Sequence, residues 1–361
     1  MKVMVLGTRG IPNLQGGVET HCQELYPRLV KLGCEVTVIT RKSYVHDLSI
    51  HEYQGVRLKH IFTPKKKSFE ALVHTFLGVL YARIKSPDIL HIHSIGPSLM
   101  VPFAKFLGLT VIITNHGPDY DRQKWGRFAK KALILGEKFG TKYANEVIVI
   151  SNVINDILKN KYKRLDCKLI HNGVNIPTKS NNKNYIESLG LKEKMYIIAV
   201  GRFVEEKGFH DLIDAYKKID TKLTLVLVGD ADHKSEYSIT LKDTAKVNNV
   251  ILTGFIQGEN LNQIFTYAKL FVMPSYHEGL PIALLEAMSY NLDVLVSNIP
   301  ANLEVQLDDS DYFNVGDVEN LKYALVKKIL NKNERNFIPL INKKYNWDII
   351  SNEINLVYKK A

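Results

Sequence analysis

The sequence predicts an α/β protein of two doubly wound, Rossmann-like domains facing across a cleft. Three observations carry that reading: short runs rich in Val, Ile and Leu alternate with helix-length segments, the series stops and starts again, and a polar stretch containing Pro177 separates the two series. In the first series the runs stand at 3–6 (VMVL), 36–40 (VTVIT), 89–93 (ILHIH), 110–115 (TVIITN) and 147–151 (VIVIS). Near-continuous apolar runs of this length are what strands covered by helices on both faces look like. The second series stands at 195–201 (MYIIAVG), 223–230 (LTLVLVGD), 250–255 (VILTGF), 270–275 (LFVMPS) and 292–298 (LDVLVSN). The stretch Asn172 to Lys194, with the polar run Ser180 to Asn184 and then a helix-like segment, reads as the linker. The expected division is 1–176 and 177–344, with a tail helix at about 345–361 that shows Trp347, Ile349, Ile350, Ile354 and Val357 on one face.

Size and composition agree with two cores. A chain of 361 residues, 45% hydrophobic and 24% charged, at the usual ~150 residues per domain is neither a small stapled scaffold nor disordered. No run approaches the ~18 apolar residues of a spanning helix. The start, MKVMVLGTRG, runs into a strand without signal-peptide architecture, so a cytoplasmic location is expected. Cys22, Cys34 and Cys167 show no C-x-x-C spacing, which suits a reducing compartment and gives no cysteine metal site.

The formal charge of +11 is unevenly placed. Residues 1–176 carry 26 Lys+Arg against 13 Asp+Glu, and the remainder 22 against 24. The excess includes Pro64-Lys65-Lys66-Lys67 and the segment from Arg122 to Lys131, where Lys124, Trp125, Arg127, Phe128, Lys130 and Lys131 interleave cations with aromatic rings. Such segments suit an anionic membrane surface or a nucleic acid, as well as a plain solvated helix face. With no zinc-finger or RNP-type motif, no nucleic-acid partner is expected.

Ligands of open α/β sheets bind beyond the carboxyl ends of the strands, so the post-strand segments hold the candidate chemistry. After the first strand, Gly7 to Thr20 lacks the G-x-G-x-x-G dinucleotide fingerprint. Its Gly16 and Gly17 permit close backbone approach by an anion at a helix N-terminus. After the fourth strand, His116 stands beside Gly117 and Pro118, poised to hydrogen-bond a ligand, whereas His91 and His93 alternate within a strand and read as structural. The triplets Asp119-Tyr-Asp121, Asp230-Ala-Asp232 and Asp309-Ser-Asp311 each fit a divalent-cation diphosphate site, but a pattern that occurs three times in unrelated places is weak, and no metal is expected.

The second half is more specific. Gly201-Arg202-x4-Lys207-Gly208 puts two cations on the turn after a strand, enough to neutralise a diphosphate. The segment Ser275-Tyr-His-Glu278-Gly279-Leu280-Pro281-Ile282 to Glu286 follows a later strand, with Pro281 suited to a first helical turn and Glu286 about a turn and a half inside, where it would accept a ribose's hydroxyls. The helix's N-terminal N–H groups add a second anion site.

These residues resemble the retaining GT-B glycosyltransferases called family 4. Glu278 and Glu286 reproduce the paired E-x7-E within S-x-x-E-G-x-P, Arg202 and Lys207 the G-R-x-x-x-x-K-G, and Asn172-Gly173-Val174 the N-G-V-D segment, with Asn175 in place of its Asp. Gly-Thr-Arg-Gly-Ile-Pro…Gly-Gly-Val-Glu-Thr near the start is similar to a bacterial subgroup that includes rhamnosyltransferases. The resemblance spans nearly the whole chain. It implies that Arg202 and Lys207 hold a donor diphosphate, Glu286 the ribose, and Glu278 the donor sugar's hydroxyls. Gly279, Leu280, Pro281 and Ile282 line the donor, Gly16 and Gly17 lie by donor and acceptor, and His116 meets the sugar or the reacting centre. It further implies no metal or other cofactor, a C-terminal helix that crosses back to the first domain, and a nucleoside-diphosphate sugar as donor. A lipid-linked saccharide at an anionic membrane is the expected acceptor, since the basic half faces the acceptor in this class. The alternatives are a nucleotide-sugar epimerase or phosphorylase of the same architecture, and a non-catalytic nucleotide-sugar-binding module.

Overall fold

The computed structural model describes residues 1–14, 16–45, 47–64, 67–121, 126–231, 234–331 and 334–361, the side chains of 67–69 and 121 excepted. Two compact units emerge: Met1–Gly173 with Tyr345–Ala361, and Val174–Lys344.

The first unit runs β1 (Lys2–Leu6), α1 (Gly17–Lys31), β2 (Glu35–Arg41), β3 (Glu52–Tyr53), β4 (Val56–Ile61), α2 (Lys67–Lys85), β5 (Ile89–His93), α3 (Val101–Phe106), β6 (Val111–Asn115), α4 (Arg127–Tyr143), β7 (Glu146–Val149), α5 (Asn152–Tyr162) and β8 (Lys168–Leu169). Its sheet has the order β3-β4-β2-β1-β5-β6-β7-β8, parallel except for the β3–β4 pair. All five predicted runs are strands of this sheet. The second unit runs α6 (Asn184–Ser188), β9 (Tyr196–Val200), α7 (Phe209–Tyr216), β10 (Thr224–Val228), α8 (Glu236–Val247), β11 (Ile251–Leu252), α9 (Gly258–Tyr267), β12 (Leu270–Met273), α10 (Ile282–Ser289), β13 (Asp293–Ser297), α11 (Pro300–Leu303), β14 (Tyr312–Phe313), α12 (Val318–Leu330) and α13 (Ile338–Lys344). Its parallel sheet has the order β11-β10-β9-β12-β13-β14.

Each core follows from the apolar runs. In the first unit Val3, Val5, Val36, Val38, Ile89, Ile112 and Ile148 pack against Cys22, Leu25, Tyr26 and Leu29 of α1. In the second, Ile197, Ala199, Leu225, Leu227, Leu270 and Val272 pack against Phe209, Leu212, Ile213, Leu321 and Leu325. The chain returns to the first unit through α14 (Trp347–Lys360), which packs against α1. Trp347, Ile350, Ile354, Val357 and Tyr358 are its buried residues, whereas Ile349, expected on that face, is 46% exposed. Ile349 lies two positions after Trp347, about 200° around a helix, so the two point apart and Tyr358 takes its place. No helix among the described residues is long and apolar enough to cross a membrane.

Order reverses beside β1 in one sheet, between β1 and β5, and beside β9 in the other, between β9 and β12. These are the switch points where such sheets bind ligands. A glycine permits close backbone packing at each. A Cβ on Gly7 would lie 2.0 Å from the His93 carbonyl oxygen, and one on Gly208 would lie 2.1 Å from the Pro274 carbonyl oxygen. Gly208 also has φ +64, which a side chain disfavours.

Candidate active site

The second unit's switch point gathers both halves of the cation–carboxylate pattern. Arg202 and Lys207 lie on the turn between β9 and α7; Glu278 to Pro281 lie on the loop between β12 and α10. The two segments are tied by a backbone bond from the Tyr276 N–H to the Glu206 carbonyl (2.8 Å) and by the Lys207 Nζ–Glu278 Oε1 ion pair (2.6 Å). Ser275 Oγ donates to the same carboxylate oxygen at 2.7 Å, and Ser297 Oγ donates to the Ser275 carbonyl at 2.5 Å. Burial works to raise the Glu278 carboxyl, but the Lys207 ammonium and the bonds from Lys207 and Ser275 outweigh it and hold it below the ordinary glutamate value. The carboxylate is therefore ionised and fixed beside a cation.

Glu286 is the fifth residue of α10 and half-buried. Pro281 is the N-cap, one position before the first helical turn where it was expected. The Ile282 N–H donates to the Leu280 carbonyl and the Leu284 N–H to the Pro281 carbonyl, so the helix start is tightened by its own backbone. Gly208→Ala is expected to separate this assembly, because the methyl meets backbone rather than a flexible side chain. The expected cost is about 2 kcal/mol or more of second-unit stability, read by thermal denaturation; a wild-type melting curve would show that the turn has room.

Gly16, Gly17 and His116 belong to the first unit. Gly16 is the N-cap of α1 and has φ +148; a Cβ there would stand 2.1 Å from Glu19 Oε2 and 2.7 Å from an Arg9 terminal nitrogen. Glu19 accepts from the Arg9 N–H (3.0 Å) and pairs with the Arg9 guanidinium (3.2 Å). The first turn of α1, expected to attract an external anion, thus carries a carboxylate of the chain itself, which favours that position for the same reason.

His116 follows β6 on a loop held by the Gly117 N–H to Asn115 Oδ1 bond (2.9 Å) and by Tyr120, whose hydroxyl donates to the buried Glu137 at 3.2 Å. Lys161 pairs with Glu137 at 3.0 Å. His116 Nε2 is 2.9 Å from His93 Nδ1, and His93 Nε2 is 2.5 Å from the Tyr26 hydroxyl. Tyr26 also reaches His91 Nδ1 (3.2 Å), which meets the Tyr358 hydroxyl of α14 (2.6 Å). His21 stands edge-on to both His93 and His116, with Nδ1 2.7 Å from Asn172 Oδ1. Burial first, and neighbouring imidazoles second, hold His21, His91 and His116 at about 3 and His93 well below its ordinary value. His91 and His93 therefore do more than fill a strand: they connect His116 to α1 and α14. The H-x-H spacing was visible in the sequence, but its partners His21, Tyr26 and Tyr358 carried no signal of their own.

One of the three D-x-D triplets is fully described. Asp311 is buried and pairs with Lys328 (2.5 Å) and with Arg335. Asp232, like Lys65, Lys66 and Arg122 to Trp125, lies outside the described residues.

Two doubly wound domains, each with its polar residues at the switch point, define the GT-B class of fold. Residues 15–177 match the family described as Glycosyltransferase Family 4, and residues 181–338 that described as Glycosyl transferases group 1. Together they take in most of the chain, which belongs to the glycosyltransferases built from these two domains. An uncharacterized glycosyltransferase of Methanocaldococcus jannaschii is 26% identical, covering 100% of this chain and 98% of its own length. A capsular polysaccharide biosynthesis glycosyltransferase of Staphylococcus aureus is 27% identical over 78% of each. Among solved structures, an Anabaena protein in complex with UDP-glucose superposes with a TM-score of 0.83, 17% identity and full coverage of both chains.

Proposed function

We propose that the protein is a retaining, metal-independent glycosyltransferase that moves a hexose or deoxyhexose from a nucleoside-diphosphate sugar to a hydroxyl of a lipid-linked saccharide in bacterial surface polysaccharide synthesis. The observation that carries the reading is the Lys207–Glu278 ion pair, which joins the G-R-x4-K-G turn to the E-x7-E loop at one switch point. The UDP-glucose bound by the Anabaena protein of like fold, and the capsular relative, support the donor class and the setting. In this reading Arg202 and Lys207 hold the diphosphate, Glu286 the ribose and Glu278 the sugar hydroxyls. Gly279, Leu280, Pro281 and Ile282 line the donor, Gly16 and Gly17 lie by donor and acceptor, and His116 meets the sugar.

As the sugar–phosphate bond stretches, negative charge grows on the β-phosphate and positive charge on the ring. Fixed cations then stabilise the transition state more than the ground state. A phosphate oxygen takes the acceptor hydroxyl's proton on the face the nucleotide leaves, so no enzyme nucleophile and no cofactor is required. The test is nucleoside-diphosphate release from UDP-, GDP- and dTDP-sugars, dTDP-rhamnose included, with and without lipid-pyrophosphate saccharides. Acceptor-stimulated release from one donor, unaffected by EDTA, is expected. Binding without turnover on any pair would favour the binding-module alternative, and EDTA-sensitive release would refute metal independence.

The membrane part of the proposal is supported by α4. Its outer side exposes Arg127, Phe128, Lys131, Ile134, Leu135, Lys138 and Lys142, with Phe128 90% exposed. Its one acid, Glu137, is turned inward. Cations interleaved with apolar side chains on one helix face suit an anionic headgroup layer. Replacing Lys131, Lys138 and Lys142 by Gln is expected to weaken sedimentation with anionic vesicles by about 100-fold, at about 1 kcal/mol per cation. Unchanged binding at low salt would remove α4 from the reading.

A further inference from the structure

We propose that His21, His93 and His116 form a binding site for a divalent transition-metal ion of the zinc class, and that filling it inhibits glycosyl transfer. The inhibitory half rests on the donor-sugar role given to His116 above; the binding half does not.

One ring nitrogen from each of the three histidines lies within 4.8 Å of the other two. They come from three elements: His21 from α1, His93 from the end of β5, and His116 from the loop after β6. Tetrahedral zinc with bonds of about 2.0–2.1 Å holds its ligand nitrogens about 3.4 Å apart. The closest pair here, His93 Nδ1 and His116 Nε2 at 2.9 Å, lies just inside that spacing, so small ring rotations complete a tripod.

The second observation is an unsatisfied nitrogen. His21 is 1% exposed, and its Nε2 has no hydrogen-bond partner, while its Nδ1 is 2.7 Å from Asn172 Oδ1. An Nδ1–H donated to that amide oxygen leaves Nε2 as a bare lone pair in the interior, which ordinarily costs stability. A metal ion would satisfy it. The outer contacts are those that orient ligating histidines: Asn172 on His21, and the Tyr26 hydroxyl on His93 Nε2. Three imidazoles without a carboxylate select zinc, cobalt, nickel or copper over magnesium, calcium or manganese. His116 is only partly buried, which leaves a fourth position for water.

Occupancy would turn the His116 ring nitrogen from the sugar to the metal. Micromolar zinc is then expected to inhibit nucleotide release, EDTA to restore it, and millimolar magnesium to do neither. Binding is read separately, by titrating the full chain with Zn²⁺ in a calorimeter and with Co²⁺ by the visible absorption of tetrahedral cobalt. One ion per chain is expected. His21→Ala should abolish the cobalt spectrum, and Asn172→Ala, which leaves all three ligands in place, should weaken zinc binding about 10–100-fold. His51→Ala, in the separate His51–His60 pair, should change nothing. No saturable binding by the wild-type chain overturns the proposal, as does binding that His21→Ala and Asn172→Ala leave intact. One-to-one binding without inhibition upholds the site and removes His116 from the donor role.

Discussion

Lys207→Ala is expected to lower nucleoside-diphosphate release by about 10²–10³-fold, the usual loss when one group that stabilises transition-state charge is removed. The substitution acts twice. On the proposed reading it takes a cation from the diphosphate, and in any case it leaves Glu278, whose side chain is 11% exposed, without the ammonium 2.6 Å away. Burial is the leading influence on Glu278 and is opposed chiefly by Lys207. Without Lys207 the carboxyl therefore rises, and the acid limb of kcat/KM should move to higher pH, a change that simple loss of packing would not produce. The stability effect has a definite sign. A carboxyl held below its unfolded value contributes stability above that value and loses it as pH falls through the folded one. The variant should thus be destabilised by about 3 kcal/mol at neutral pH, and by less as pH falls through the depressed wild-type Glu278 value, below which both proteins carry it protonated. Lys207→Arg keeps the charge and should retain part of the rate. Glu286→Ala should also lose release but leave the acid limb in place. Wild-type turnover by Lys207→Ala would sink the diphosphate assignment.

The sequence made the sheets and the polar half of the second unit's candidate site more legible than the first unit's interior. All ten predicted runs became strands because buried parallel strands are continuous apolar runs, a signal that needs no partner to be read. The missed strands lacked it: β4 alternates buried and exposed residues, with Arg57 and Lys59 facing out, and β3, β8 and β14 are two residues each. Arg202, Lys207 and Glu278 were legible as candidates because each lies on a segment that follows a strand with distinctive turn chemistry, and Glu286 because of its spacing from Glu278 inside the next helix. The histidine network was not. His93 pairs in register with Thr114, which brings His116 alongside, but only the folded sheet supplies that register. His21 lies on a helix whose other buried residues are mostly apolar, so periodicity reads it as one more core position. Its bond to Asn172 spans 151 residues. Ser275, which fixes Glu278, stood within the recognised motif, yet its hydroxyl's target depended on where the loop turned.

The same network makes the first unit acid-sensitive. His21, His91 and His116 are held at about 3, His74 at about 4 and His93 well below its ordinary value, burial being the main cause in each. In the unfolded chain each would take up its proton near 6.5. Between those limits the unfolded state binds protons that the folded state refuses, so stability falls as pH falls from about 6.5, by up to about 1.4 kcal/mol per pH unit for each histidine. Acting together, a few such groups match a domain's whole stability of about 5–15 kcal/mol within one or two pH units. Only the Asn172 bond to His21 and the Thr40 backbone bond to His74 oppose this, and burial outweighs both, helped at His74 by the Arg41 cation. The groups facing the cluster are other imidazoles, the hydroxyls of Tyr26, Tyr358 and Thr114, the Asn172 amide and the Trp347 ring. Among the described residues of the second unit no histidine is buried, so that unit lacks the same liability. Hydrogen exchange followed by mass spectrometry from pH 7.5 to 5 should therefore show protection lost first in β1, β5, β6 and α14, with β9, β10 and β12 still protected. His74→Leu, which removes one proton-accepting site from the unfolded chain, should shift that loss to lower pH. Parallel loss in both units, or an unshifted His74→Leu profile, would mean that the buried imidazoles do not govern acid stability.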